Sequence, residues 1–105
     1  MLLNLTPHKI VILGGPAPVE ISPSGKVARV GATFQDAGIM EKGVATFRRT
    51  FGAVEGLPDP VKGVTLIVSA LVAQAAPRAD VLSPGELVRG PDGQPIGCRG
   101  LIRSI

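Results

Sequence analysis

Short apolar segments separated by glycine and proline run along the whole chain and predict a strand-rich fold. The 105 residues include 14 glycines and 10 prolines, which punctuate the sequence at short intervals. The stretch "KIVIL" at 9–13 is typical of a buried strand, and Gly14-Gly15 ends it. In "VEISPSGKVARV" at 19–30, two apolar runs flank Pro23 and Gly25, which predicts a hairpin.

The middle of the chain has a weaker pattern, followed by a clear alternation. Residues 31–43, "GATFQDAGIMEKG", have no sustained period, so we expect a loop with at most one helical turn. "VATFRRTF" at 44–51 alternates in the manner of a strand and places Phe47 on the side that we expect to face the core. Pro58 and Pro60 follow this strand.

The segment from 64 to 76, "VTLIVSALVAQAA", predicts a strand followed by a short helix. Its β-branched start favours a strand, Ser69 stands at the junction, and Pro77 marks the helix end. Further on, apolar runs on both sides of "GPDGQP" at 90–95 predict a final hairpin. The sequence therefore predicts one α+β, mainly β domain over residues 1–105, with about six strands and one short helix after a central strand.

Composition adds an expectation of self-association. Hydrophobic residues make up 45% of the chain, but aromatic residues only 3%, namely three phenylalanines, so the predicted core is aliphatic. A chain this short buries only about 60–65% of its unfolded surface. Apolar surface is then left for another subunit to cover, and we expect a homo-oligomer.

Charge and cysteine content limit the classes of partner. The net charge of +3 includes seven arginines, which suit phosphate or carboxylate groups. No basic stripe or aromatic platform is present, which argues against nucleic acid. The single cysteine, Cys98, cannot form an internal disulfide and suggests a reducing, cytoplasmic setting. The first residues do not resemble a signal peptide, and the apolar run at 64–76 is too short to span a membrane.

The only histidine, His8, lies in the opening motif "NLTPH" and has three interpretations. A lone imidazole offers no second histidine for a metal site, so we predict no bound metal. In the first interpretation Thr6, Pro7 and His8 cap the first strand, with the imidazole bonded to a backbone carbonyl. In the others, His8 contacts a ligand or acts as a general acid or base near neutral pH.

Two further polar groups have a structural and a functional interpretation. Ser69 lacks the G-x-S-x-G pattern of a nucleophile elbow, so it either caps the predicted helix or helps that helix end receive an anion. Arg78 either pairs with Asp80 in a local salt bridge or clamps an anion. Ser83 begins a Ser-Pro-Gly turn a few residues after Arg78 and Asp80 in the sequence.

Several blocks of the chain resemble a known family. They are "NLTPH", "SPSGKVARV", "EGLPDP", "LIVSALVAQAAPRADVLSPG" and "VRGPDGQPIGCRGL". Together they are similar to a family of small uncharacterised phage and actinobacterial proteins with an N-L-T-P-H opening motif. The resemblance implies a phage or prophage context, and hence the host cytoplasm, and implies no particular chemistry.

The sequence thus favours a non-catalytic binding protein over an enzyme. The leading hypothesis is a phage-type protein that holds a small anionic, nucleotide-like ligand, for example to sequester a host immune signalling nucleotide, without a cofactor. The alternatives are an assembly protein that contacts another protein through a flat apolar patch, and a small nucleotide hydrolase that uses His8. The candidate ligand-binding residues are Asn4, Thr6, His8, Ser69, Arg78, Asp80 and Ser83.

Overall fold

The structure is a computed structural model that describes residues 1–105, and it is mainly β with one short helix. Strands outnumber the six expected because most of them are only three or four residues long. The ten strands are β1 (Leu2–Asn4), β2 (Ile10–Ile12), β3 (Val19–Ile21), β4 (Arg29–Ile39), β5 (Ala45–Glu55), β6 (Thr65–Ile67), β7 (Val81–Pro84), β8 (Leu87–Arg89), β9 (Pro95–Cys98) and β10 (Leu101–Arg103). The helix α1 spans Ala70–Ala75, and a 3-10 turn spans Glu41–Gly43.

The first sheet has the order β1-β6-β7-β10 and carries the larger core. Strands β1, β6 and β7 are parallel, whereas β10 runs antiparallel to β7. The parallel β6 and β7 are joined by α1, as a parallel connection requires a crossover. Seven hydrophobic residues form this core: Leu5, Ala28, Leu66, Val68, Val72, Ala73 and Val81.

The predicted strand, junction and helix at 64–76 are confirmed. Strand β6 occupies a central place in the first sheet, and α1 follows it directly. Ser69 is the N-cap residue, and its Oγ accepts a hydrogen bond from the Val72 backbone N–H at 3.3 Å. The helix ends at Ala75, two residues before Pro77.

The second sheet has the order β3-β2-β9-β8 and a smaller core. Strands β8 and β9 form the hairpin predicted around residues 90–95. Strand β2 lies within "KIVIL" and pairs in parallel with β9 at a single register position, Ile12 with Cys98. The buried residues Ile10, Ile67 and Cys98 form the second hydrophobic cluster, so the cysteine is a core residue.

The hairpin predicted at 19–30 is wrong, and the loop predicted at 31–43 is wrong over residues 31–39, whereas the 3-10 turn at Glu41–Gly43 agrees with the single helical turn allowed there. Strand β3 pairs with β2, while the next strand, β4, covers residues 29–39 and pairs with β5. The predicted turn at Pro23 and Gly25 instead carries an isolated parallel bridge from Pro23 to Asn4. Pairing partners outside the segment therefore override its local turn signals.

Strands β4 and β5 form a long two-stranded hairpin, which we call the arm (residues 29–55). At its base, Val30 and Val54 are paired and pack against the larger core. Gly56 ends β5 with a positive φ of 78°, and a side chain there would collide with the Val27 carbonyl. The arm is thus joined to the rest of the chain only at its base.

The arm makes the molecule elongated and exposes a large surface. The Cα radius of gyration is 16.5 Å, against about 13 Å for a compact chain of this length. The accessible surface is 7239 Å², whereas a compact monomer of 10.8 kDa exposes about 5,500 Å². One copy of the chain therefore leaves about 1,700 Å² more surface uncovered than its size requires.

None of the helices is long and apolar enough to cross a membrane.

The core assignment predicts unequal effects of two isoleucine substitutions. Ile67 is fully buried, so Ile67→Ala should lower the free energy of unfolding by about 2–5 kcal/mol. Ile102 in β10 is 55% exposed, and Ile102→Ala should change it by at most about 0.5 kcal/mol. Urea unfolding followed by circular dichroism measures both. Equal effects would contradict the assignment of Ile67 to the core.

Candidate functional site

The first two predicted ligand residues, Asn4 and Thr6, are buried and hydrogen-bonded to their own chain. Asn4 Nδ2 donates to the His8 and Ile21 carbonyl oxygens at 2.8 and 3.1 Å. Asn4 Oδ1 accepts from the Thr6 backbone N–H at 2.9 Å and lies 2.7 Å from Thr6 Oγ1. These bonds fold the "NLTPH" segment and tie it to the end of β3. Asn4 and Thr6 therefore stabilise the entry to β2.

His8 contributes to this network through its backbone, and its imidazole forms no hydrogen bond within the chain. The strand-capping interpretation therefore fits Thr6, whose hydroxyl bonds to the His8 backbone, but is wrong for the imidazole, and Asn4 was not part of it. His8 is exposed beside a cavity of about 310 Å³, which is also lined by Lys9, Ile96 and Cys98. A ligand contact by His8 stays a prediction.

Arg78 and Asp80 form the salt bridge that was one of their two interpretations. Arg78 Nε and one terminal nitrogen donate to the two Asp80 carboxylate oxygens at 2.9 and 2.6 Å. The other terminal nitrogen donates to the Pro58 carbonyl oxygen at 3.0 Å. The guanidinium thus links the residues before β7 to the segment that follows the arm, and its donors point at the protein itself.

The hydroxyl of Ser104 holds the backbone around this pair, a contact that the sequence analysis missed. Ser104 Oγ accepts from the Arg78 backbone N–H at 3.0 Å, and it lies 2.6 Å from the Arg78 carbonyl oxygen. Ser104 is next to the last residue, and no local motif marks it as a partner of residue 78.

The pairing shifts both pKa values in the direction that strengthens it. Hydrogen bonds from Arg78 lower the pKa of the Asp80 carboxyl below its ordinary 3.8, against the opposing effect of partial burial. The hydrogen bond to Asp80 raises the pKa of Arg78, again against burial, with help from the charges of Asp80 and Asp59.

The remaining predicted residues lie at separate places. Asp80 borders a largely apolar cavity of about 500 Å³, whose walls include Leu3, Leu57 and Val64. Ser83 is buried and borders a third cavity of about 430 Å³, and Ser69 is occupied as the cap of a six-residue helix. Asp80, His8 and Ser83 therefore border three different cavities, and the structure does not bring the predicted set together around one ligand.

The arm carries an exposed apolar surface on one of its two sides. Cross-strand partners share a side of a sheet, and the register pairs Ala32 with Phe51, Phe34 with Arg49, Asp36 with Phe47, and Ile39 with Ala45. We call the side with these eight residues the phenylalanine face. It holds all three phenylalanines of the protein. Phe34 and Phe47 are 66% and 63% exposed, so the prediction that Phe47 faces the core is wrong.

The opposite side of the arm is polar. Thr33 and Thr50 face each other with their hydroxyl oxygens 2.6 Å apart, and Gln35 pairs with Arg48 beside them. The arm is therefore amphipathic, and the outer part of its apolar side, with Phe34 and Phe47, is exposed. The alternation in "VATFRRTF" was a usable signal for this face, whereas the matching positions in β4 follow Gly31, are interrupted by Gly38 and were missed.

Comparison with known proteins yields no relative: no protein-family model, curated protein or solved structure matches this chain.

The salt bridge predicts a pH-dependent contribution to stability. Because the folded-state pKa of Asp80 is lowered, the contribution is complete above the unfolded-state pKa near 3.8 and is lost as the pH falls through the folded-state value. Asp80→Asn should therefore lower the melting temperature at pH 7, and its difference from wild type should shrink below pH 3.8. Glu86→Gln is the control, since its pairing with Arg99 is weak and exposed. A difference that stays constant down to pH 2 would contradict this account.

Proposed function

We propose that this protein is a non-catalytic assembly protein that associates with further copies of itself through the phenylalanine face. The observation that carries the proposal is the exposure of every phenylalanine on one side of the arm. Exposed apolar patches of this kind mark protein interaction sites. The homo-oligomer expected from composition would then use the phenylalanine face as its contact.

The stability of the arm supports the same proposal. Two-stranded hairpins are marginally stable in water unless another layer covers an apolar face. Here each strand is 11 residues long, but of the cross-strand pairs only Val30 and Val54, at the base of the arm, pack against the core. Burying one phenylalanine side chain contributes about 1.5–3 kcal/mol. A second copy seated on Phe34, Phe47 and Phe51 would supply the missing layer.

The uncovered area is also sufficient for a specific interface. A standard protein interface removes about 800 Å² from each partner. The chain exposes about 1,700 Å² beyond the expectation for a compact monomer, so each copy has enough surplus surface for such a contact.

Binding of a small anionic, nucleotide-like ligand stays the second candidate function. Exposed His8 and Lys9 beside the cavity of about 310 Å³ favour it, since they offer an imidazole and a cation to one ligand. Lys9 Nζ lies 3.3 Å from Glu20 Oε1 in an exposed salt bridge, so a ligand would have to compete with that carboxylate. Arg78 is less suited, because Asp80 and Pro58 already take its hydrogen bonds. The hydrolase that would use His8 rests on the same cavity. A thermal-shift panel of nucleotides, followed by recovery of the ligand, separates binding from turnover.

Substitutions on the phenylalanine face test the proposal. At 100 μM, light scattering should give wild-type protein a mass of at least twice 10.8 kDa, whereas Phe34→Ser/Phe47→Ser should give the monomer mass. Leu87→Ser is the matched control, because Leu87 is similarly exposed but lies on β8 in the second sheet. A monomeric wild type, or equal weakening by Leu87→Ser, would refute self-association through this face.

A further inference from the structure

We infer that two copies pair face to face about a two-fold axis that crosses the centre of the phenylalanine face, with Arg49 of each copy paired to Asp36 of the other. This inference rests on the proposed function and names the geometry of the contact and the residues that set its specificity. Closed two-fold dimers use the same patch on both subunits, so the patch must be complementary to itself.

The phenylalanine face consists of four cross-strand rows, and its centre lies between the two charged ones. From the base outward, the rows are Ala32–Phe51, Phe34–Arg49, Asp36–Phe47 and Ile39–Ala45. The axis lies in the plane between the two packed faces, perpendicular to the strands, and passes between the second and third rows. It exchanges the first row with the fourth and the second with the third. The two arms are then antiparallel, with the tip of each over the base of the other.

This operation places large side chains opposite small ones at both ends of the contact. It keeps β5 over β5, so Phe51 of one copy meets Ala45 of the other. It also keeps β4 over β4, so Ile39 meets Ala32. Interfaces with interior-like packing need such complementary shapes.

The two central rows supply charge complementarity. Arg49 is held on the phenylalanine face, with its guanidinium carbon 6.0 Å from the Phe34 ring centroid, and Asp36 belongs to the next row. Neither residue forms a salt bridge within the chain. After the two-fold rotation, Arg49 of the second copy lies over Phe47 on β5, with Asp36 beside that ring on β4, so the ring and the neighbouring carboxylate both attract the guanidinium.

Two charge-reversal substitutions test the pairing. Each is studied as a single variant, the two single variants are mixed, and both substitutions are combined in one chain. Asp36→Arg alone sets two arginines against each other at both contacts, and Arg49→Asp alone sets two aspartates against each other. Each variant should dimerise at least about tenfold more weakly than wild type. A mixture of the two restores both opposite-charge contacts, so native mass spectrometry should show mainly the heterodimer. The double variant Asp36→Arg/Arg49→Asp should form homodimers as wild type does.

The outcomes separate this inference from the proposed function. If both single variants dimerise as tightly as wild type while Phe34→Ser/Phe47→Ser is monomeric, the two-fold pairing is refuted and self-association through the face stands. If wild type itself is monomeric at 100 μM, both are refuted.

Asp36 Oδ1 accepts a hydrogen bond from the Gly38 backbone N–H at 2.9 Å, and Asp36→Arg removes this bond and could prevent folding. A second variant at the same position avoids this loss. Asp36→Asn keeps an oxygen acceptor there and removes the charge. Salt screens ion pairs, so raising the salt from 50 to 500 mM should weaken the wild-type dimer and leave the Asp36→Asn dimer nearly unchanged. Equal salt dependence in the two proteins would refute the pairing.

Discussion

This chain has more apolar side chains than its interior buries. Two clusters, of seven and three buried hydrophobic residues, make up the whole core. The helix that packs on the first sheet is only six residues long. The arm has 11-residue strands and extends away from the core. The phenylalanines consequently lie on the arm and not in the core. The proposed self-association rests on this constraint, because burial of apolar surface drives both folding and assembly.

The same small core explains the use of polar residues. A buried polar group is costly unless it is hydrogen-bonded, and no buried side-chain nitrogen or oxygen here lacks a partner. Asn4 and Thr6 fix the "NLTPH" segment, and Arg78 with Asp80 joins two segments that share no strand pairing. Residues that resemble ligand contacts in sequence thus act as internal braces, whereas His8 keeps a free imidazole.

Sequence patterns predicted the elements whose signals are local. The β-branched start of 64–68, the cap at Ser69 and the stop at Pro77 define the strand and helix, and "GPDGQP" defines the last turn. Strand β4 was missed because its pairing with β5 is set by the partner strand, and Gly31 and Gly38 interrupt its pattern. Alternation correctly put Phe47 on one side of a strand, but only the tertiary structure decides whether that side meets a core. For the same reason, the sequence could not show that the predicted ligand residues Asp80, His8 and Ser83 border three different cavities.

The central claim is that a second copy covers the arm, and amide hydrogen exchange as a function of protein concentration tests it most directly. The account predicts that amides of residues 32–51 become more protected as the concentration rises from 1 to 200 μM. Amides of β6 and β7 should keep the same protection throughout, because their pairing lies within one copy. Exchange in the arm that is independent of concentration across this range would contradict the claim.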